Sequence, residues 1–184
     1  SGGTTFGFYL NKYNIKTCTK ISLHHPVNNL FSPNKFKYIT ILRNPIDRCY
    51  SYYQMVKREG PNYPHKKYSD NLENFMNNCW EVNNMATSYY AGIDCSNLKI
   101  INVNDEIYNK AIHNLKNFHN ILNFNNIQND IINFFKKINI HLDNIENKRK
   151  VEYNKNLSKN DIVLITKHNE YDIKLYNFII NYKK

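Results

Sequence analysis

Apolar residues along the chain recur with two periods, and the switches between them predict strands separated by helices. Residues 36–42 are mostly β-branched and aromatic and give the strongest strand prediction, with shorter strands predicted at 21–23 and 98–103. Apolar positions at helical spacing predict helices at residues 6–10, 46–57, 72–80, 85–91, 104–117 and 127–137. Ser158 or Asn160 can cap a final helix. The alternation predicts a single α/β domain over residues 1–184 with a mostly parallel central sheet.

Ligands of such sheets bind beyond the carboxyl ends of the strands. Three segments fall at that edge: the Gly2-Gly3 turn, the His24-His25 pair and Arg43. Because they come from separate parts of the chain, their convergence predicts one binding site.

The charge balance narrows the classes of possible binding partner. The 184 residues include 25 Lys and Arg against 15 Asp and Glu, a formal net charge of +10. This favours an anionic partner, which could be a nucleotide, a nucleic acid, a sulfated or phosphorylated polymer, or a membrane surface. No apolar run reaches the roughly 18 residues of a membrane span, and the chain opens without the features of a signal peptide. We therefore expect a soluble chain, and the lack of an initiator Met suggests a fragment.

The cysteines are Cys18, Cys49, Cys79 and Cys95, without a CxxC pair or zinc-finger spacing. They could form two disulfides or remain four buried thiols, and the apolar surroundings of Cys18 and Cys49 favour thiols. The motifs require no metal.

The first six residues combine glycines and hydroxyl side chains ahead of a helix: Ser1, Gly2, Gly3, Thr4, Thr5 and Phe6. Glycines let backbone N–H groups approach an anion closely, and the positive end of the following helix points to the same place. The Walker A spacing is absent. The segment is either a phosphate cradle or an ordinary helix cap.

A second polar segment follows the strongest predicted strand. Arg43 stands at the strand tip, Pro45 suits the first turn of a helix, and Ser51 lies two turns further on. A guanidinium and a hydroxyl can together bind a phosphate monoester. The alternative is that Arg43 pairs with Asp47 and that Ser51 is a neutral helix residue.

In this order the two segments resemble the nucleotide-binding signatures of the PAPS-dependent carbohydrate sulfotransferases, where PAPS is 3′-phosphoadenosine 5′-phosphosulfate. The likeness is strongest to the heparan sulfate 6-O-sulfotransferases. Residues 1–7 match all but the leading Lys and Thr of their Lys-Thr-Gly-Gly-Thr-Thr-Phe-Gly loop, with Ser1 in place of Thr, and residues 42–51 are similar to Leu-Arg-Asp-Pro-x-x-Arg-x-x-Ser. Leu23-His24 fits a family His that follows a Leu, and a weaker likeness continues through Asn169, Asp172 and Tyr176.

The resemblance implies a P-loop-like sulfotransferase fold and sulfuryl transfer from PAPS to a sugar hydroxyl, which leaves adenosine 3′,5′-bisphosphate. It implies that residues 1–6 hold the 5′-phosphosulfate and that Arg43 and Ser51 hold the 3′-phosphate. His24 would be the general base, with His25 as the alternative. The implied partners are the nucleotide and a carbohydrate or glycosaminoglycan-like acceptor, so no nucleic acid is expected.

Lys57 and Arg58 follow the Ser51 helix and could bind an anionic acceptor, or simply be a solvated helix end. Two departures from the family stand out. Asn44 replaces an Asp, and neither the leading Lys nor the strand before the loop is present, so we expect an N-terminally truncated domain that need not be active as written. The family implies the Golgi lumen, whereas a microbial or viral enzyme would be cytoplasmic. A non-catalytic binder of polyanions remains the alternative function.

Overall fold

A computed structural model describes residues 2–15, 27, 32–35, 37–93, 99–146 and 157–182. The helices are α1 (Gly2–Lys12), α2 (Pro45–Arg58), α3 (Leu72–Asn78), α4 (Met85–Tyr90), α5 (Asp105–Lys116), α6 (Ile127–Lys137), α7 (Lys159–His168) and α8 (Glu170–Tyr182). The strands are β1 (Ile39–Leu42) and β2 (Asn120–Asn123), and short 3-10 turns cover Lys66–Tyr68, Trp80–Val82 and Phe124–Asn126. No helix in these ranges is long and apolar enough to cross a membrane.

The two strands pair in parallel, with Ile39 opposite Asn120 and Leu42 opposite Asn123. The predicted α/β class and parallel pairing are therefore confirmed for the described part of the chain. Ile39 and Ile41 pack with Leu122 against α1 and α6. Leu42 packs with Ile121 on the opposite face, against α5 and α8. The sheet is thus covered by helices on both faces, as a parallel sheet requires.

The strand prediction at 98–103 is wrong for the part that the structure describes. Residues 99–103 form no strand: Ile100 is 46% exposed, whereas Val103 at the end of the run is buried. Instead β2 occupies residues that the sequence pattern left between two helices. With only Ile121 and Leu122 between two asparagines, it is too short to display a period of two. The strand predicted at 21–23 lies outside the described residues.

Helix starts followed their local signals. Pro45 begins α2, and the predicted apolar face of Cys49, Tyr50, Tyr53 and Val56 is buried. Ser158 is the cap of α7: its hydroxyl accepts from the Asp161 N–H at 3.0 Å, and the Asp161 carboxylate accepts from the Ser158 N–H at 2.9 Å.

Two helix predictions need correction. The expected final helix is divided at Asn169 into α7 and α8. The expected Gly2-Gly3 loop is instead the first turn of α1. A helix leaves its first four N–H groups without partners inside the helix. This turn therefore still presents backbone N–H groups of the kind that can bind an anion, as predicted from the sequence.

The preference for buried thiols is confirmed at two of the four cysteines. Cys49 and Cys79 are free and buried. Burial raises the pKa of Cys49 to about 11 and that of Cys79 to about 12, so both are protonated at neutral pH. Cys18 and Cys95 lie outside the described residues.

Candidate active site

The junction between β1 and α2 is built by three consecutive residues. β1 ends at Leu42, Arg43 follows, and the Asn44 side chain caps α2 by accepting from the backbone N–H groups of Ile46 at 2.9 Å and Asp47 at 3.4 Å. Asn44 therefore caps α2 without the charge of the Asp that stands at this position in the motif it resembles. The junction places Arg43 and the start of α2 at the carboxyl edge of the sheet.

The Arg43 guanidinium lies over an aromatic ring that follows the neighbouring strand. Leu42 pairs with Asn123 at the ends of the two strands, so the residues that follow them, Arg43 and Phe124, are neighbours. The guanidinium carbon of Arg43 lies 4.6 Å from the centroid of the Phe124 ring. A guanidinium that lies over a ring is restricted in orientation, and its N–H donors point outward from its edge. Sequence reasoning missed Phe124 because nothing local marks it.

Polar groups from other elements surround this edge. The backbone N–H of Asn123 donates to the Asp130 carboxylate at 2.5 Å, and the Asn123 side chain is hydrogen-bonded to the Tyr176 hydroxyl. Burial and the Asp47 carboxylate raise the pKa of Tyr176, while the Asn123 hydrogen bond lowers it. Tyr176 therefore carries its proton at neutral pH.

The structure describes some of the other predicted site residues, and the rest lie outside the described ranges. Ser51 is half-buried in α2, two turns beyond Pro45, and Thr5 is buried in the first half of α1. The ring of Phe6 packs edge-on against Phe134 of α6 with centroids 5.2 Å apart, so this side chain belongs to the core. Ser1, His24 and His25 lie outside the described residues and stay predictions.

Lys57 and Arg58 are exposed at the far end of the helix that begins beside Arg43. With a rise of 1.5 Å per residue, about 20 Å of helix separates them from Arg43. Lys57 lies over the Tyr53 ring, 5.3 Å from its centroid. Lys66 caps the carboxyl end of the helix by donating to the Lys57 carbonyl at 2.5 Å. The structure therefore does not bring these two cations to Arg43.

A buried polar network behind the site connects α2, α4 and α8. Arg48 donates to the Asp172 carboxylate at 3.3 Å and to the Glu81 carbonyl at 2.6 Å. Asp172 also accepts from the backbone N–H groups of Ala86 at 3.1 Å and Thr87 at 2.7 Å. Burial lowers the pKa of Arg48, but Cys49, Asp172 and Glu81 outweigh it and raise the pKa overall. Arg48 is therefore permanently charged.

The sequence motifs include residues of this network but do not predict that they bind one another in the interior. Arg48 stands in the motif that follows the strand, and Asn169 and Asp172 stand in the weaker likeness near the chain end. Asn169 is fully buried, and its side-chain amide donates to the Val82 carbonyl at 2.7 Å. A charged or amide residue on the apolar face of a helix was the available signal, since such groups are buried only when paired.

Comparison with known proteins gives one result. The family model described as Sulfotransferase domain matches residues 9–103, slightly more than half of the chain. The match contains β1, Arg43 and all of α2. No curated protein and no solved structure matches.

Proposed function

This chain belongs to the sulfotransferase domain family, and we propose that it transfers a sulfuryl group from PAPS to a carbohydrate hydroxyl. Membership supports a sulfotransferase enzyme with a nucleotide sulfate donor and an acceptor. PAPS is the donor that this family generally uses. The observation that carries the proposal is Arg43, a residue of the matched region that follows a parallel strand and lies over the Phe124 ring.

The donor would lie along the carboxyl edge of the sheet, as expected for a P-loop-like fold. Arg43 and Ser51 would bind the 3′-phosphate, with the Phe124 ring holding the guanidinium in orientation. The backbone N–H groups in the first turn of α1 would bind the 5′-phosphosulfate, because a helix start carries a partial positive charge.

The reaction is an in-line displacement at sulfur. The acceptor oxygen attacks the sulfur, the bond from sulfur to the bridging phosphate oxygen breaks, and adenosine 3′,5′-bisphosphate leaves with the electron pair. His24 would accept the acceptor proton as general base, with His25 as the alternative. As in phosphoryl transfer, positioning and charge stabilisation would supply most of the rate acceleration.

The proposed acceptor is a carbohydrate or a glycosaminoglycan-like chain. The sequence resemblance and the net charge of +10 support it. Lys57 and Arg58 are exposed and available to an anionic chain. Because they lie about 20 Å of helix away from Arg43, they would contact sugars several units from the acceptor hydroxyl.

Calorimetric titration with adenosine 3′,5′-bisphosphate, with 5′-ADP beside it, tests the nucleotide site. We expect binding that requires the 3′-phosphate, and at least a tenfold loss in Arg43→Gln because a charged hydrogen bond disappears. Ser51→Ala should lose less. Lys174→Gln is the matched control, since it also removes a cation lying over aromatic rings. Equal affinity for both nucleotides would remove Arg43 and Ser51 from the proposal.

Transfer itself is tested with labelled PAPS and a panel of sulfated and unsulfated glycans. His24→Ala should abolish transfer and leave nucleotide affinity intact, and retained turnover would assign the base to His25 or elsewhere. If the chain is instead a polyanion binder, glycan affinity will fall with salt and ignore PAPS.

A further inference from the structure

Three metal-ligating side chains meet outside the candidate active site. The ligand atoms of His65, Cys79 and Glu81 all lie within 4.8 Å of one another. His65 lies in the loop before the turn Lys66–Tyr68, and the other two lie at the end of α3 and in the turn Trp80–Val82. Cys79 is fully buried, and the side chains of His65 and Glu81 are only 13% and 20% exposed.

Two of the donor atoms are close together, and one of them has no hydrogen-bond donor within the part of the chain that the structure describes. His65 Nε2 lies 3.6 Å from Glu81 Oε2. That oxygen is buried and accepts no hydrogen bond from any group in the described ranges of the chain. A buried carboxylate oxygen without a donor is costly, and a cation between the three residues would supply the missing partner.

The three side chains offer donor atoms that a cation can bind. An imidazole nitrogen and a carboxylate oxygen both carry lone pairs for a metal. The Cys79 thiol would lose its proton to solvent as a metal–sulfur bond forms, because only the thiolate is a strong ligand.

We propose that His65, Cys79 and Glu81 bind a zinc ion, with solvent as the fourth ligand. Nitrogen, thiolate and carboxylate donors form a set that zinc accepts and that magnesium and calcium do not prefer. Ligand atoms around tetrahedral zinc are about 3.3–3.7 Å apart. The pair from His65 and Glu81 is already at that separation, and binding requires the set to contract by about 1 Å.

A zinc ion bound here would connect the loop that contains His65 to the segment after α3 that contains Cys79 and Glu81. The His65 loop is already joined to the end of α2, where Lys66 donates to the Lys57 carbonyl. Binding would fasten the same loop to the end of α3 and fix the exposed cations Lys57, Arg58 and Lys67 in relation to it. The ion is therefore structural, and its binding does not depend on the nucleotide site.

Cobalt titration of the tag-free, chelator-treated chain tests the proposal, because cobalt replaces zinc and reports its ligands. We expect one equivalent to bind with the visible bands of tetrahedral coordination and an ultraviolet thiolate-to-cobalt band, and zinc to displace it. The ultraviolet band should vanish in Cys79→Ser. His65→Gln and Glu81→Gln should each weaken affinity by at least about a hundredfold, more than is typical of residues that only support a ligand.

The matched control is His141→Gln, which removes an exposed histidine that also lies beside a carboxylate, Asp143, at 3.2 Å. It should bind cobalt like the parent chain. If Cys79→Ser does not fold, the decision rests on the other two variants and on zinc raising the melting temperature of the parent but not of Glu81→Gln. No stoichiometric binding, or a thiolate band that persists in Cys79→Ser, overturns the proposal.

Discussion

Asn84 and Asp172 form a reciprocal pair of helix caps. Asn84, which precedes α4, caps α8, and Asp172 of α8 caps α4. The Asn84 side chain accepts from the N–H groups of Tyr171 and Asp172 in the first turn of α8, at 3.0 and 3.1 Å. The Asp172 carboxylate in turn accepts from Ala86 and Thr87 in the first turn of α4. Each of the two helix starts thereby receives its cap from the other segment, and Arg48 balances the charge of the Asp172 carboxylate.

This arrangement makes the Asp172 side chain costly to remove. Asp172→Ala leaves the charged Arg48 without its carboxylate partner and two backbone N–H groups without their acceptor. We expect the free energy of unfolding to fall by about 3 kcal/mol, the lower end for a broken buried pair, because Arg48 is 21% exposed. Urea denaturation measures this. Lys174→Ala, which breaks the exposed pair with Asp105, should cost less than about 1 kcal/mol, and an equal loss in both variants would contradict the interpretation.

Phe124 should affect nucleotide binding without touching the phosphate. Phe124→Leu keeps an apolar side chain but removes the ring under the Arg43 guanidinium. A cation–π contact near the surface contributes about 0.5–1 kcal/mol, so affinity for adenosine 3′,5′-bisphosphate should fall about twofold to fivefold. Phe118→Leu, a ring contacting Tyr38 and Tyr90, is the control and should leave the affinity unchanged.

His168 should make stability depend on pH. Its Nδ1 lies 2.7 Å from Asn83 Oδ1, and the Asn83 amide nitrogen already donates to the Met76 and Cys79 carbonyls, so His168 is the donor. Burial and Lys167 lower its pKa below the ordinary 6.5. Between the lowered and the ordinary value only the unfolded chain binds the proton, so stability is complete above pH 6.5 and is lost as the pH falls.

Thermal unfolding between about pH 8 and pH 5 in parent and His168→Gln chains checks this. The parent should lose more stability on acidification than the variant does. His65 has a lowered pKa and Glu81 a raised one, but both are present in the two proteins and cancel in the difference. Parallel pH profiles would contradict the role of His168.

Asn44 separates the capping role from the charge that the family Asp carries. Asn44→Ala should lower the free energy of unfolding by about 1 kcal/mol, because α2 loses its side-chain cap. Asn44→Asp should differ little from the parent in stability, since both residues cap well. A carboxylate beside Arg43 should also weaken binding of adenosine 3′,5′-bisphosphate. Tighter binding by Asn44→Asp would mean that the charge acts elsewhere.

Short-range patterns were sufficient for several elements. Asn44 and Pro45 mark the start of α2 within two residues, and Ser158 with Asp161 marks α7 within four. The buried face of α2 repeats with the helix period. Such features depend on groups close in sequence, so they are visible without a fold. The resemblance of residues 42–51 to a sulfotransferase motif was legible for the same reason, and the family match confirmed the family.

Pairings between distant residues were not accessible in that way. β2 became a strand because Ile121 and Leu122 are buried on the two faces of a sheet whose partner strand lies some eighty residues earlier. Arg43 meets Phe124 only through that register, Arg48 meets Asp172 across 124 residues, and His65 meets Cys79 and Glu81 only where a loop returns to the end of α3. In each case burial decides the partner, because a charged or polar group removed from water must find its complement wherever the packed chain brings one.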